Sequence, residues 1–225
     1  MDEELTIAEE MNEHSFMPFA ATRRRPPAPR IEKENKRDAL LRAAIETFAA
    51  RGFFNAQVAD VARTAGVAAG TVYLYFRGKD DLLISIFDRT MKEAISAGRQ
   101  SIASIADPVA QLRTIAGLHL DRMSRDRALA VVFQVELRQS TKFMERFSAT
   151  HVREYLGIIR DVIAQGQAQG TFRKDVNPTL ASKLLFGMLD EMATNWILSK
   201  RKYSLTSQAD PIVELFVHGV GAARA

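Results

Sequence analysis

The sequence predicts an all-α fold of about nine helices, with a small N-terminal three-helix unit and a larger helical domain behind it. Three observations lead there. Apolar residues recur at three- and four-residue spacing from about Lys33 onwards, and no convincing alternating strand or internal repeat interrupts them. Glycines and prolines fall between these stretches, where helices end and begin. The 225 residues are 47% hydrophobic and 26% charged, enough to bury a sizeable core.

Composition also excludes some functions. The chain has no cysteine, so disulfides, thiolate metal sites and cysteine nucleophiles are ruled out, which fits a reducing cytosol. No run approaches the length of a membrane span, and the acidic start is not a secretory signal. The net charge of +4 permits nucleic-acid binding without demonstrating it. Residues 1–30 carry −2, residues 31–79 carry +3 and residues 80–225 carry +3, so the basic excess is densest in the middle segment.

Residues 1–30 read as a flexible tail. Their "TRRRPPAPR" stretch has prolines that oppose a helix and arginines that need water. It is a dispensable tail or an arginine arm for a neighbouring minor groove. Residues 31–79 form the helix-turn-helix unit. "KRDALLRAAIETFAARG" places Leu40, Leu41, Ala44, Ile45 and Phe48 on one helical face, with Gly52 as its C-cap. "FFNAQVADVARTAGV" gives a second helix, begun near Asn55 or Gln57 and ended by Gly66. A third covers Ala69 to Phe76, and Gly78 breaks it. A fourth starts at Lys79, with Asp80 and Asp81 in its first turn, where carboxylates suit the helix dipole. Residues 80–225 form the larger helical domain. Its remaining helices run from Pro108 to about Ser124, Asp126 to Gln139, Thr141 to Gln169 and Pro178 to about Lys200, with a last one near Pro211.

"VAAGTVYLYFRGKDDLL" raises the functional question. Val72 and Phe76, four apart, face a small core with Val58, Val61 and Phe48, which turns Thr71, Tyr73 and Tyr75 outward. Two outward tyrosines on a third helix suit phosphates and base edges in a major groove. The same spacing also fits an ordinary helical corner with half-buried tyrosines. Lys79 is a candidate phosphate anchor.

"QVADVARTAGVAAGTVYLYFRGKDDLL" resembles the DNA-binding domain of the TetR family of bacterial transcriptional regulators. The AGV turn, the GTxYxYF run and the lysine-acid start of the fourth helix carry the likeness. The resemblance implies base contacts from Ala68, Ala69, Gly70 and Tyr73, and phosphate contacts from Thr71, Tyr75 and Lys79. Gln57 stands where the family usually has a threonine, which puts its capping and phosphate role in question. With small residues at 69 and 70, specificity would rest on thymine methyl groups and DNA shape.

In the larger part, polar residues interrupt apolar helices: Gln134, Glu136 and Arg138 in "VVFQVELRQSTKF", and Asp190, Glu191, Thr194 and Asn195 in "LLFGMLDEMATNWIL". A buried carboxylate at Asp190 needs a partner, and Arg138 is a candidate, whether as a structural pair or as an orienting group in a pocket. Apolar residues there, among them Phe133, Leu137, Phe143, Met144, Phe147, Tyr155, Phe186, Leu189 and Trp196, supply core, dimer interface or pocket.

"QVELRQS" and "FGMLDEMATNWILSKRKYSL" resemble the acyl-CoA-responsive, FadR-type branch of the same family, from about Arg37 to Val220. That implies a homodimeric cytoplasmic repressor of fatty-acid metabolism genes on a palindromic double-stranded operator, with long-chain acyl-CoA as effector and no cofactor. It also implies an acyl tunnel, with Phe133, Leu137, Arg138, Phe186, Leu189, Asp190 and Trp196 as candidate ligand residues. Arg113, Arg122, Arg138 and Arg173 are candidates for the CoA phosphates. A repressor sensing another apolar molecule, such as a drug or lipid signal, is the alternative. An enzyme is disfavoured: the four histidines lack metal-ligand spacing, no GxSxG elbow or phosphate loop occurs, and "GVGAAR" follows no strand.

Overall fold

The computed structural model describes residues 30–139, 143, 145, 148–201 and 203–221, with side chains from residue 34 and excepting 148 and 149. The tail and its arginine arm, and the apolar roles read for Met144 and Phe147, lie outside these residues. Nine α-helices make up the described part, with one isolated bridge between Phe172 and Gly221 and no strand.

Helices α1 (Arg30–Arg51), α2 (Val58–Thr64) and α3 (Ala69–Tyr73) form the small unit. Gly52 ends α1 at φ +77°, where its N–H reaches Phe48 O at 2.9 Å; Gly66 closes α2 at φ +67°. Both need the left-handed region that a side chain disfavours. Phe48, Val61, Val72 and Phe76 are buried together as their spacing predicts, with Val58 packed against them. The third helix is shorter than predicted, ending at Tyr73 rather than Phe76.

Helix α4 (Lys79–Ile102) leads into α5 (Pro108–Arg125), capped by Asp107 accepting from the N–H groups of Val109 and Ala110. Asp126 caps α6 (Arg127–Val131) through Leu129 N. The single helix expected from Asp126 to Gln139 instead widens into a π-helical turn, Val132–Glu136, then tightens into a 3₁₀ turn, Leu137–Gln139. A second π turn, Ser148–Val152, precedes α7 (Arg153–Ala168), within the stretch read as one helix. Asn177 caps α8 (Pro178–Leu198), and a 3₁₀ turn precedes α9 (Ala209–Val220), which holds Pro211 as its third residue.

Helix α1 packs on α2, α4, α6 and the first π turn, so it is the main helix by which the small unit rests on the larger one. Helices α4, α5 and α7 pack around one interior, and α8 covers α7 while α9 covers α5. Between α7 and α8 the chain folds back tightly. Phe172 is buried over Gly166, and Arg173 N donates to Val220 O at 2.9 Å, pinning the loop to the end of α9.

Candidate DNA-binding face and effector cavity

The start of α3 forms an open face. Ala68, Ala69 and Gly70 are exposed, Tyr73 is 59% exposed and Leu74 76%. Thr71 is half-buried, and so is Tyr75, which packs against the core rather than pointing freely outward. Tyr75 is thus half-buried, as the helical-corner reading of its spacing allowed.

Gln57 is the exposed N-cap of α2 in extended conformation, and its backbone N–H donates to Asp60 Oδ2 at 3.0 Å. That bond, followed by the Arg63 and Arg51 guanidinium groups, outweighs desolvation and holds the Asp60 carboxyl below its ordinary range. The threonine-to-glutamine departure thus leaves the cap in place, because Asp60 satisfies the turn from within.

Lys79 requires a correction. Its ammonium is turned inward, donating to Phe53 O at 3.0 Å, Phe54 O at 2.9 Å and Ala56 O at 3.3 Å, above the Phe53 ring at 4.9 Å. Three donors on three carbonyls make it a clamp on the α1–α2 turn rather than a free phosphate anchor.

Behind this unit lies a cavity of about 730 Å³, within the range of small-molecule sites. Its wall is mostly apolar, with Ile45 and Leu41 from α1, Ile86 and Met91 from α4, Ile115 and Met123 from α5, and Phe133, Leu137 and Phe186. Gly98 also lines it.

Two polar groups interrupt that wall. Arg138 pairs with Asp190, and Gln134 Nε2 donates to the second Asp190 oxygen at 2.9 Å. Arg138 also donates to Gln134 Oε1 at 2.8 Å, and Thr194 Oγ1 donates to the same atom at 2.9 Å. The pair expected between Arg138 and Asp190 is formed, and its network leaves neither charge bare beside the cavity. Next to it, His119 Nδ1 and the Tyr155 hydroxyl are 3.1 Å apart, with Phe186 edge-on to both rings. His119 Nε2 is enclosed with no hydrogen-bond partner among the described residues. Burial, partly opposed by the Asp190 charge, pulls its pKa down to about 4, and burial pushes the Tyr155 hydroxyl up.

Another part of the cavity lining is charged and partly solvent-exposed. Arg42 pairs with Asp126, and Arg89 with Asp38 and with Glu93 at 2.9 Å. Arg122 reaches Glu93 at 3.2 Å, and Arg125 reaches Asp121 at 2.9 Å. Although partial burial raises the Glu93 carboxyl, Arg89 and Arg122 together outweigh it and hold the carboxyl below its ordinary value. All eight of these residues line the cavity.

Of the predicted ligand residues, Phe133, Leu137, Arg138, Phe186 and Asp190 line the cavity. Leu189 and Trp196 do not. Leu189 is fully buried in the core, and Trp196 packs under Arg127 with its Nε1–H on Tyr203 O at 3.1 Å. Among the basic candidates, Arg122 and Arg138 line the cavity, whereas Arg113 pairs with Asp210 and Glu214 on α9, and Arg173 with Asp175 in the α7–α8 loop. Sequence reading missed Arg42, Arg89, Arg125 and His119 as wall residues. Only folding brings α1, α4 and α5 side by side, and no local motif marks these residues. Among the described residues no group of His, Asp and Glu could hold a metal ion, and no helix is long and apolar enough to cross a membrane.

A helix-turn-helix with an open recognition face, joined to a helical domain around a mostly apolar cavity, defines a DNA-binding regulator class. Residues 40–86 match bacterial regulatory proteins of the tetR family, and residues 87–219 match the YsiA-like protein C-terminal region. The chain belongs to the TetR family of bacterial regulators. It is 33% identical over 189 residues to the fatty acid metabolism regulator protein of Bacillus subtilis, covering 84% of this chain and 97% of that one. It superposes on the fatty acid degradation regulator FadR of Bacillus halodurans with a TM-score of 0.78 and 34% identity, over 82% of this chain and 95% of the other. The FadR structure from Bacillus subtilis in complex with stearoyl-CoA gives 0.77 and 33%, over 81% and 98%. These relatives are transcriptional regulators, not enzymes.

Proposed function

We propose that this chain is a dimeric, cytoplasmic repressor of fatty-acid metabolism genes, and that long-chain acyl-CoA releases it from a palindromic operator. The observation that carries the reading is the cavity: a mostly apolar interior, its internal charges neutralised, with a rim of four arginines paired with four carboxylates. An acyl chain suits the interior and CoA phosphates suit the rim, where guanidinium groups offer bidentate hydrogen bonds. Similarity to a FadR that binds stearoyl-CoA supports the same ligand class.

Residues 31–79 act as the DNA-reading unit and residues 80–225 as the effector and dimerisation unit. Helix α3 lies in the major groove, with Ala68, Ala69, Gly70 and Tyr73 near the bases and Thr71 and Tyr75 near phosphates, while Gln57 faces the backbone at the start of α2. Helices α8 and α9 keep Leu180, Leu184, Leu198 and Leu215 more than half exposed, an apolar surface that suits a second copy. Acyl-CoA favours the form whose two recognition helices no longer match adjacent half-sites. A coupling of about 1–3 kcal/mol is enough for a useful loss of affinity. The ligand is an effector and takes no part in chemistry.

Calorimetric titration with acyl-CoAs of increasing chain length tests the ligand class, with free CoA and free fatty acid as controls. Tight binding of long chains and weak binding of either half is expected. Absence of binding at every length would overturn the ligand assignment and leave the DNA-binding unit untouched.

A further inference from the structure

We propose that Glu136 is the positioning residue that links the cavity to the DNA-binding unit, a reading that rests on acyl-CoA being the effector. The π turn Val132–Glu136 and the 3₁₀ turn after it share out their side chains by direction. Phe133, Gln134, Leu137 and Arg138 line the cavity, while Glu136 does not. Its buried carboxylate reaches across to the small unit and accepts the backbone N–H of Phe53 at 2.6 Å. Gln139 Nε2, from the same segment, adds a longer contact at 3.5 Å.

Phe53 is a focal point of the small unit. It sits in the turn between α1 and α2, buried edge-on against Phe48 and Phe143. Lys79, the first residue of α4, holds the carbonyls of that turn and lies over the Phe53 ring. The line from cavity to recognition face is therefore short and continuous. It runs from the wall residues Phe133 and Leu137 to Glu136, then through the Phe53 N–H to the turn that opens α2 and, through Lys79, to the α3–α4 corner.

A buried carboxylate keeps its hydrogen bond or costs several times more than the bond is worth in water. The segment that carries Glu136 therefore cannot shift when a chain is seated against Phe133 and Leu137 without moving the Phe53 turn or losing that bond. The π turn gives the segment the means to shift, because its one-residue excess in register is an alternative to a plain α-helical turn. On the far side the same segment is tied to α8 through Gln134, Asp190 and Thr194, so movement is directed towards the small unit.

The test compares wild type, Glu136→Ala and Glu136→Gln for acyl-CoA affinity and for operator affinity with and without stearoyl-CoA. In wild type, stearoyl-CoA is expected to weaken operator binding by about tenfold or more. Glu136→Ala is expected to bind stearoyl-CoA within about threefold of wild type, yet to lose most of that weakening. Glu136→Gln, whose amide oxygen still accepts the Phe53 N–H, is expected to regain it. A merely structural role would lower affinities but leave the ratio unchanged. Amide hydrogen exchange on the wild-type dimer provides a test independent of whether the alanine variant folds, since the Phe53 N–H is expected to lose protection when stearoyl-CoA binds. A wild-type ratio in Glu136→Ala, or unchanged Phe53 protection, overturns the link alone. A wild type that binds no acyl-CoA overturns the effector reading first and the link with it.

Discussion

His119 and Gly166 show how single residues govern this fold. Burial keeps His119 neutral, with its pKa pulled from 6.5 to about 4. An unfolded chain binds a proton at that position below pH 6.5 and the folded chain does not, so stability falls as pH drops from about 6.5 towards 4. The loss is on the order of 3 kcal/mol over the window. His119→Gln, neutral throughout, is expected to be markedly less pH-sensitive than wild type in urea unfolding at a series of pH values. Equal pH dependence in the two proteins would contradict the assignment. At Gly166 a Cβ would stand 2.2 Å from Phe172 Cδ2, and the ring has no room to retreat because its loop is pinned to α9. Gly166→Ala is expected to cost about 1–3 kcal/mol in urea unfolding. The sequence exposes some of this scale and hides the rest. The Arg138–Asp190 pair was legible because a charge amid apolar residues needs an opposite charge. Leu189 and Trp196 were misplaced because α8 is apolar on several faces, and spacing alone does not say which face meets the cavity.

At the scale of elements, α1 and α2 were legible nearly end to end, since Gly52 and Gly66 mark their ends, whereas α3 stops at Tyr73 instead of Phe76 and only the start of α4 was marked. The π turns were not, because a five-residue widening leaves apolar periodicity almost unchanged over so short a stretch. Each element carries its own test. Tyr73 is the most exposed aromatic of α3, so Tyr73→Ala is expected to weaken operator binding by about 1–3 kcal/mol in an anisotropy titration while leaving acyl-CoA affinity unchanged. For α8 and α9, placing charges at Leu184 and Leu215 (Leu184→Glu with Leu215→Glu) is expected to shift the sedimentation equilibrium from dimer to monomer. A double variant that stays dimeric would move the interface elsewhere on the surface.

The molecule as a whole joins three layers: a DNA-reading unit, a buried segment that touches both sides, and a cavity whose rim is built from α1, α4 and α5. That rim is the feature least visible in sequence. Arg42 and Asp126 are 84 positions apart, and Asp38 and Arg89 are 51 apart, so no window of sequence shows them as one charged ring. Because Asp38 and Arg42 sit on α1, the rim also joins the small unit to the effector domain. The most direct measurement is operator release: fluorescence anisotropy of labelled operator DNA held by the dimer, titrated with stearoyl-CoA, free CoA and stearate in parallel at fixed salt. Release by stearoyl-CoA alone, at concentrations that also saturate the cavity in calorimetry, is the expected result. Saturation of the cavity with no change in DNA affinity would contradict regulation by acyl-CoA.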